Sequence, residues 1–277
     1  MKLRLVASLV LLLIAVGLPV AAVSTNGPPW GFRGHQAVVL EVTGTVEGAA
    51  SESRRQKAGA VDDKLEVVPN LHLDNGDELR VARLSQARLR FENGVVTVGD
   101  GAKLIVGNQR LRLARGLLAV ETLPGARPFE IELDSGAVIA VRSGGQAAHA
   151  RVISDGKGGA RAVVEDGSLE ARTALGETLS EPGKVLVIEG IKAQAIDKPT
   201  SLPITATCSG GTRLNIIAPG QAQIFGGGAL VYPDVTAGEP TGSAMVDVDP
   251  GTGDVSIFAR DVVGNVARAT VSCEKKK

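Results

Sequence analysis

From Ala37 onward, apolar residues recur at every second position in short runs, and the runs are separated by glycine, asparagine or aspartate. A period of two sets one face of an extended chain against a core and the other toward water, so the pattern predicts an all-β protein. The predicted strands are Val38–Val46, Lys64–Val68, Glu78–Val81, Ala87–Phe91, Val95–Val98, Lys103–Val106, Arg110–Ala114, Leu117–Glu121, Phe129–Leu133, Ala137–Val141, Ala150–Ile153, Ala160–Val164, Leu169–Ala171 and Val185–Ile188. Asn93-Gly94, Asp100-Gly101 and Asp166-Gly167 lie between them as tight-turn pairs that supply positive φ. Such turns absorb much of the glycine excess, 35 residues in 277. Leu79, Val81, Leu84, Ala87 and Leu89 also fit one helix face, but the alternation Ala87–Phe91 running into Asn93-Gly94 favours strand and hairpin. Gly48–Ala60, small and polar, is expected to be a loop.

The first residues carry an address. Lys2 and Arg4 precede an apolar run from Leu5 to Leu18, followed by Pro19-Val20-Ala21-Ala22, where Val20 and Ala22 suit signal-peptidase cleavage. The expectation is a signal peptide at 1–22, a Pro/Gly-rich leader at 23–36, and export to the periplasm or the extracellular space. If the segment is not cleaved, Leu5–Val23 is nearly long enough to serve as an N-terminal membrane anchor. Charge is balanced, 30 Lys+Arg against 30 Asp+Glu, and turns slightly acidic once Lys2 and Arg4 are removed. With one Trp, one Tyr and five Phe, the chain lacks both the basic field and the stacking faces of a nucleic-acid binder, so no nucleic acid is expected as a partner.

A linker-like stretch at 191–201, with Pro199 inside it and Pro203 beyond, separates the first β-region, 37–190, from a second at 202–277. Seven short runs follow: Ile204–Cys208, Arg213–Ile217, Ala222–Phe225, Leu230–Val231, Ser243–Val248, Val255–Ala259 and Ala267–Cys273. That is the strand count of a small immunoglobulin-like β-sandwich. Cys208 and Cys273 fall in the first and last of these runs, and export places them in an oxidising compartment, so they are predicted to form a disulfide.

Two resemblances follow from the motifs. Arg110-Leu111-Arg112-Leu113-Ala114-Arg115-Gly116-Leu117-Leu118-Ala119-Val120-Glu121 precedes Arg127-Pro128-Phe129-Glu130-Ile131-Glu132-Leu133. Then come Ala137–Gly144, Val163-Val164-Glu165-Asp166-Gly167-Ser168-Leu169 and Leu179-Ser180-Glu181-Pro182-Gly183. This order resembles the FecR domain, a periplasmic sensory module of bacterial iron-citrate signalling, over roughly Asp77 to Glu189. The chain departs from that family at Ser143-Gly144-Gly145-Gln146, where a glycine-threonine pair and an aromatic are usual. Val255–Ala267 resembles the final hairpin of bacterial immunoglobulin-like or fibronectin-type repeats. The resemblance to FecR implies binding. Because only Met1–Arg4 precede the apolar segment, the cytoplasmic part through which such regulators act on sigma factors is expected to be missing.

Candidate chemistry is sparse. Asp247, Asp249 and Asp254 flank a Pro-Gly turn and could offer oxygens to Ca²⁺, although a solvated turn has the same composition and is the favoured reading, so no metal site is assigned. His35, His72 and His149 are far apart in sequence, and the Gly-Gly runs have no phosphate-loop context. Glu130 and Glu132 share a strand face, as in many solvated strands. The expectation is therefore a non-enzymatic sensor or scaffold without cofactor, with a protein or cell-envelope partner. The alternative is a peptidoglycan- or carbohydrate-associated wall protein, which normally needs aromatic platforms.

Overall fold

The computed structural model describes residues 36–58, 63–108, 110–234, 241–249 and 253–274. The expected signal peptide, nearly all of the leader, Trp30 and His35 lie outside the described residues. The fold is all-β with one short helix among the described residues.

Strand β1 (Ala37–Thr43) and strand β2 (Val46–Ala49) split the predicted strand Val38–Val46, with Gly44 between them at φ 76°. The expected loop at Gly48–Ala60 is corrected: it holds the end of β2 and helix α1 (Glu52–Ala58). Ser51 begins the helix, its hydroxyl accepting the Arg54 N–H at 3.3 Å, and acidic Glu52 and basic Arg55 and Lys57 suit the helix ends. Asp77, fully buried, holds the helix down: it accepts the Ser51 N–H at 2.8 Å and pairs with the Arg54 guanidinium.

The chain continues through β3 (Lys64–Glu66), β4 (His72–Leu73), β5 (Glu78–Val81), β6 (Gln86–Phe91), β7 (Gly94–Val98), β8 (Lys103–Val106) and β9 (Arg110–Thr122). Then follow β10 (Phe129–Leu133), β11 (Val138–Arg142), β12 (His149–Ser154), β13 (Gly159–Asp166), β14 (Ser168–Thr173), β15 (Gly176–Ser180), β16 (Lys184–Glu189) and β17 (Lys192–Asp197). These strands build two layers. Sheet A runs β4-β1-β6-β7-β9-β12-β13-β16-β17. Sheet B runs β3-β2-β5-β8-β9-β10-β11-β14-β15. Successive hairpins alternate between the layers, and β9 belongs to both.

Strand β9 explains how one strand serves two layers. Its first half pairs with β8 and β10, its second half with β7 and β12. The buried positions are Leu111 and Leu113 before the crossing, then Leu118, Val120 and Thr122 after it, so the inward parity changes from odd to even. A bulge makes the change: Lys103 faces Arg115 while Leu104 faces Leu113, leaving Ala114 as the extra residue. Gly116 sits just beyond at φ 109°, and a Cβ there would lie 2.3 Å from the Cα of Ala102. Arg110–Ala114 and Leu117–Glu121, expected as separate strands, are thus one strand bent between sheets.

The apolar positions of both sheets meet in one core, where Phe91 and Phe129 stack edge to face at 5.0 Å among Leu73, Leu79, Leu89 and Ile131. The predicted linker 191–201 is corrected, because β17 occupies most of it and pairs with β16 from Lys184↔Asp197 to Glu189↔Lys192. Its sequence gives little sign of this, since an edge strand at the end of the sheet needs only the small Ala193 and Ala195 on its inner side.

All seven runs predicted beyond residue 201 are strands: β18 (Thr205–Ser209), β19 (Arg213–Pro219), β20 (Gln223–Gly226), β21 (Ala229–Val231), β22 (Thr241–Asp247), β23 (Asp254–Arg260) and β24 (Val266–Ser272). They form a three-stranded sheet, β18-β19-β22, and a four-stranded sheet, β21-β20-β23-β24. Leu214, Ile216 and Val246 from one sheet meet Ile224, Val255 and Ile257 from the other in a separate core. Cys208 and Cys273 are bonded, Cα to Cα 5.4 Å, joining the outermost strand of one sheet to the end of the outermost strand of the other.

Candidate functional site

The outer faces of the two large sheets differ. Sheet B's is a lattice of charges: Arg110 pairs with Glu132 at 3.3 Å, Arg112 with Asp134 at 3.0 Å, Arg142 with Glu170 at 2.7 Å, and Arg172 with Glu130. Glu130 and Glu132, noted in the sequence for sharing a face, are members of it. Sheet A's outer face instead carries Ile153, Val163, Val185 and Val187, all buried although they point away from the main core. Val262 covers them, with Leu117, Tyr232 and Val263 at the margin.

Val262 and Val263 are delivered by the turn between β23 and β24. Asp261 shapes that turn: one carboxylate oxygen accepts the N–H groups of Gly264 and Asn265, each at 2.8 Å, and the other accepts the Asn265 amide at 2.9 Å. Asn265 also donates to the Pro199 carbonyl at 3.0 Å. The Asp261 and Asn265 turn residues of the hairpin motif therefore build the plug that docks the C-terminal sandwich.

A polar rim surrounds the apolar contact. Arg161 donates to the Gln221 side-chain oxygen at 3.1 Å, and Gln221 donates to Asp155 at 3.3 Å. Burial pulls the Arg161 guanidinium below its ordinary pKa, while the negative charges of Glu189 and Asp261 oppose the shift. Gln223, fully buried, donates to the Asp100 carbonyl at 3.1 Å and to the Tyr232 hydroxyl at 3.2 Å, and accepts from Arg260 at 2.9 Å. Arg151 donates to the Val263 carbonyl at 2.9 Å. Buried amides used at both ends fix one docking geometry, because displacement would leave them unsatisfied.

Beside this rim, between the turns of the large sandwich and strands β21 and β22, lies a cleft of about 490 Å³. Arg83, Arg115, Lys157, Leu230, Tyr232 and Met245 are among its lining residues. Gly101 permits the close approach here: a Cβ on it would meet Leu230 at 2.4 Å. The Tyr232 phenol is pushed up to about 12, chiefly by burial, with the Gln223 hydrogen bond acting against the shift. A smaller groove of about 330 Å³ runs over sheet A past Arg88, Thr97, Glu121 and His149. His149 lies 3.8 Å from both Glu121 and Asp166.

The structure does not bring Asp247, Asp249 and Asp254 together. Asp247 faces Arg213 at the end of β22, Asp254 opens β23 in the other sheet, and no group of three metal-ligating side chains occurs among the described residues. Ser143-Gly144-Gly145-Gln146 forms the β11–β12 connection, where the Gly144 carbonyl accepts the Gly125 N–H at 3.2 Å. Sequence reasoning missed the junction. Its signal was the unbroken apolar run Val185-Leu186-Val187-Ile188, which marks a strand buried on both faces. No family model, no curated protein and no solved structure matches the chain.

Proposed function

We propose that the chain is an exported, non-enzymatic binding scaffold of the bacterial cell envelope, in which a FecR-like module and an immunoglobulin-like module act as one rigid body. The observation that carries the reading is the junction, where the Val262–Val263 plug and the buried amides of Gln221 and Gln223 tie the C-terminal sandwich to the large one. A fixed pair of modules keeps its binding surfaces at constant spacing, and pre-organisation lowers the entropy lost on binding. Export is supported by the N-terminal Lys2/Arg4 and apolar pattern, and by a disulfide that would be stable in an oxidising compartment. The three-plus-four strand arrangement supports the immunoglobulin-like reading, and the alternating hairpins that carry the Arg127-Pro128-Phe129 and Asp166-Gly167 motifs support the FecR-like one. Tyr232 packs at the margin of the junction with no second aromatic beside it in the cleft lining, which favours a protein or other envelope partner over a glycan.

The test is a paired pull-down with the purified exported protein, against isolated peptidoglycan and against solubilised envelope proteins. Cross-linked protein partners from the envelope fraction support the reading. Retention on peptidoglycan that free sugar abolishes, without a protein partner, replaces it with a wall-binding role.

A further inference from the structure

We infer that the junction cleft binds a small molecule bearing an oxyanion, a carboxylate or a phosphate, held by Arg83 and Arg115. The inference goes beyond the scaffold reading and holds whichever partner the scaffold serves.

The argument starts from how the charges in the cleft are spent. Three cations, Arg83, Arg115 and Lys157, face two carboxylates, Asp155 and Asp234. Asp234 is paired with Lys157, which removes one of each. Asp155 is occupied within its own loop and rim: it accepts the N–H groups of Lys157 at 2.7 Å and Gly159 at 3.0 Å, and the Gln221 amide. Arg83 donates to a neutral acceptor, the Gly228 carbonyl, so its charge stays uncompensated. The Arg115 guanidinium, which lines the same cleft, makes no hydrogen bond or ion pair among the described residues. On the outer face of sheet B, by contrast, the arginines are paired, Arg110 with Glu132, Arg112 with Asp134 and Arg142 with Glu170. In the cleft, two uncompensated guanidinium groups share one concave wall. Guanidinium is also the group best matched to carboxylate and phosphate.

A third donor completes the set. The Tyr232 hydroxyl accepts from Gln223, which leaves its own proton for the cleft, and burial keeps the phenol protonated. Leu230, Val231 and Met245 line the same space, so the ligand has an apolar part beside its charged one. The volume falls in the range of small-molecule sites, which favour interfaces between packed units.

The experiment is calorimetric titration of the full exported protein, at low ionic strength, with inorganic phosphate in one arm and succinate in the other. Near-UV difference spectroscopy runs in parallel, because Tyr232 is the only tyrosine. Saturable one-to-one binding of either probe is expected with Kd below about 1 mM, and the arm that saturates identifies the oxyanion. Arg115→Gln should weaken it roughly tenfold. Arg110→Gln, the same charge change on the far sheet, should leave it unaltered, and Tyr232→Phe should weaken it while abolishing the tyrosine difference signal. An unchanged urea midpoint for Arg115→Gln establishes that its fold is intact. The inference is overturned if neither probe saturates below about 10 mM, or if Arg110→Gln weakens binding as much as Arg115→Gln.

Discussion

Replacing Gly116 by alanine tests the account of β9 as a strand shared between layers. Two costs fall on this substitution. The backbone stands at φ 109°, a conformation that costs an L-residue on the order of 1–3 kcal/mol. The new methyl would also lie 2.3 Å from the Ala102 Cα, 2.5 Å from its Cβ and 2.8 Å from its nitrogen. Ala102 has little room to retreat, since its N–H donates to the Gly99 carbonyl and its own carbonyl accepts from Val81 at 2.8 Å. Forcing atoms into so closed a site adds about 1–3 kcal/mol, for a total on the order of 2–6 kcal/mol. Gly176 is the control: its φ is 128°, yet a Cβ there meets nothing within 4 Å, so Gly176→Ala carries the backbone cost alone. Urea unfolding followed by far-UV circular dichroism gives both values from the shifts in midpoint. If Gly116→Ala lies within about 1 kcal/mol of Gly176→Ala, the crossing is not sterically closed and the description of β9 is wrong.

Four further outcomes follow from the same structure. Asp77→Ala leaves the N–H groups of Ser51 and Asp74 without their acceptor and removes the buried anion paired with Arg54, which keeps the His72 carbonyl, so it should cost on the order of 3 kcal/mol and speed amide exchange across 52–58. Breaking the Cys208–Cys273 bond by a double serine substitution opens a 65-residue separation and should lower stability by about 4 kcal/mol, read as a reduced melting temperature. Val262→Asp puts a charge against Ile153, Val163, Val185 and Val187, and small-angle scattering should then report a larger radius of gyration as the sandwiches part. Tyr232 supplies a pH dependence: its folded pKa is raised above the unfolded 10.0, so its contribution is complete below pH 10 and is lost as pH climbs toward 12. Phenolate absorbance should show native Tyr232 titrating late, and Tyr232→Phe should remove that part of the alkaline instability.

What was legible in the sequence was whatever one strand and its own turn decide. Ala87–Phe91 runs into Asn93-Gly94 and forms the β6–β7 hairpin because local alternation and a positive-φ turn are sufficient. All seven C-terminal strands were legible for the same reason. Helix α1 was hidden, because its stability rests on Asp77, 23 residues from Arg54 in the chain. Strand β17 was hidden because an edge strand buries so little. The disulfide could be predicted because two cysteines in the outer strands of one sandwich leave a single pairing. The cleft could not, since Arg83, Arg115 and Tyr232 converge only after two sandwiches have docked.

The two outer faces of the large sandwich show how a single substitution pattern separates solvent from interface. On sheet B the outward positions of β9, β10 and β14 read Arg110, Arg112, Glu130, Glu132, Glu170 and Arg172, and each charge lies within ion-pair distance of an opposite one. Such pairs are individually weak, and together they make this a charged face, unlike the aliphatic patch on sheet A. On sheet A the corresponding positions of β12, β13 and β16 turn aliphatic only where Val262 lands, and revert to Arg151, Arg161 and Glu189 around it. The apolar patch is thus no larger than its plug, and two of the charges around it, Arg151 and Arg161, join the rim that fixes the docking angle. That match of patch to plug makes the junction a designed contact, and it places the unpaired Arg115 at a boundary both sandwiches hold in position.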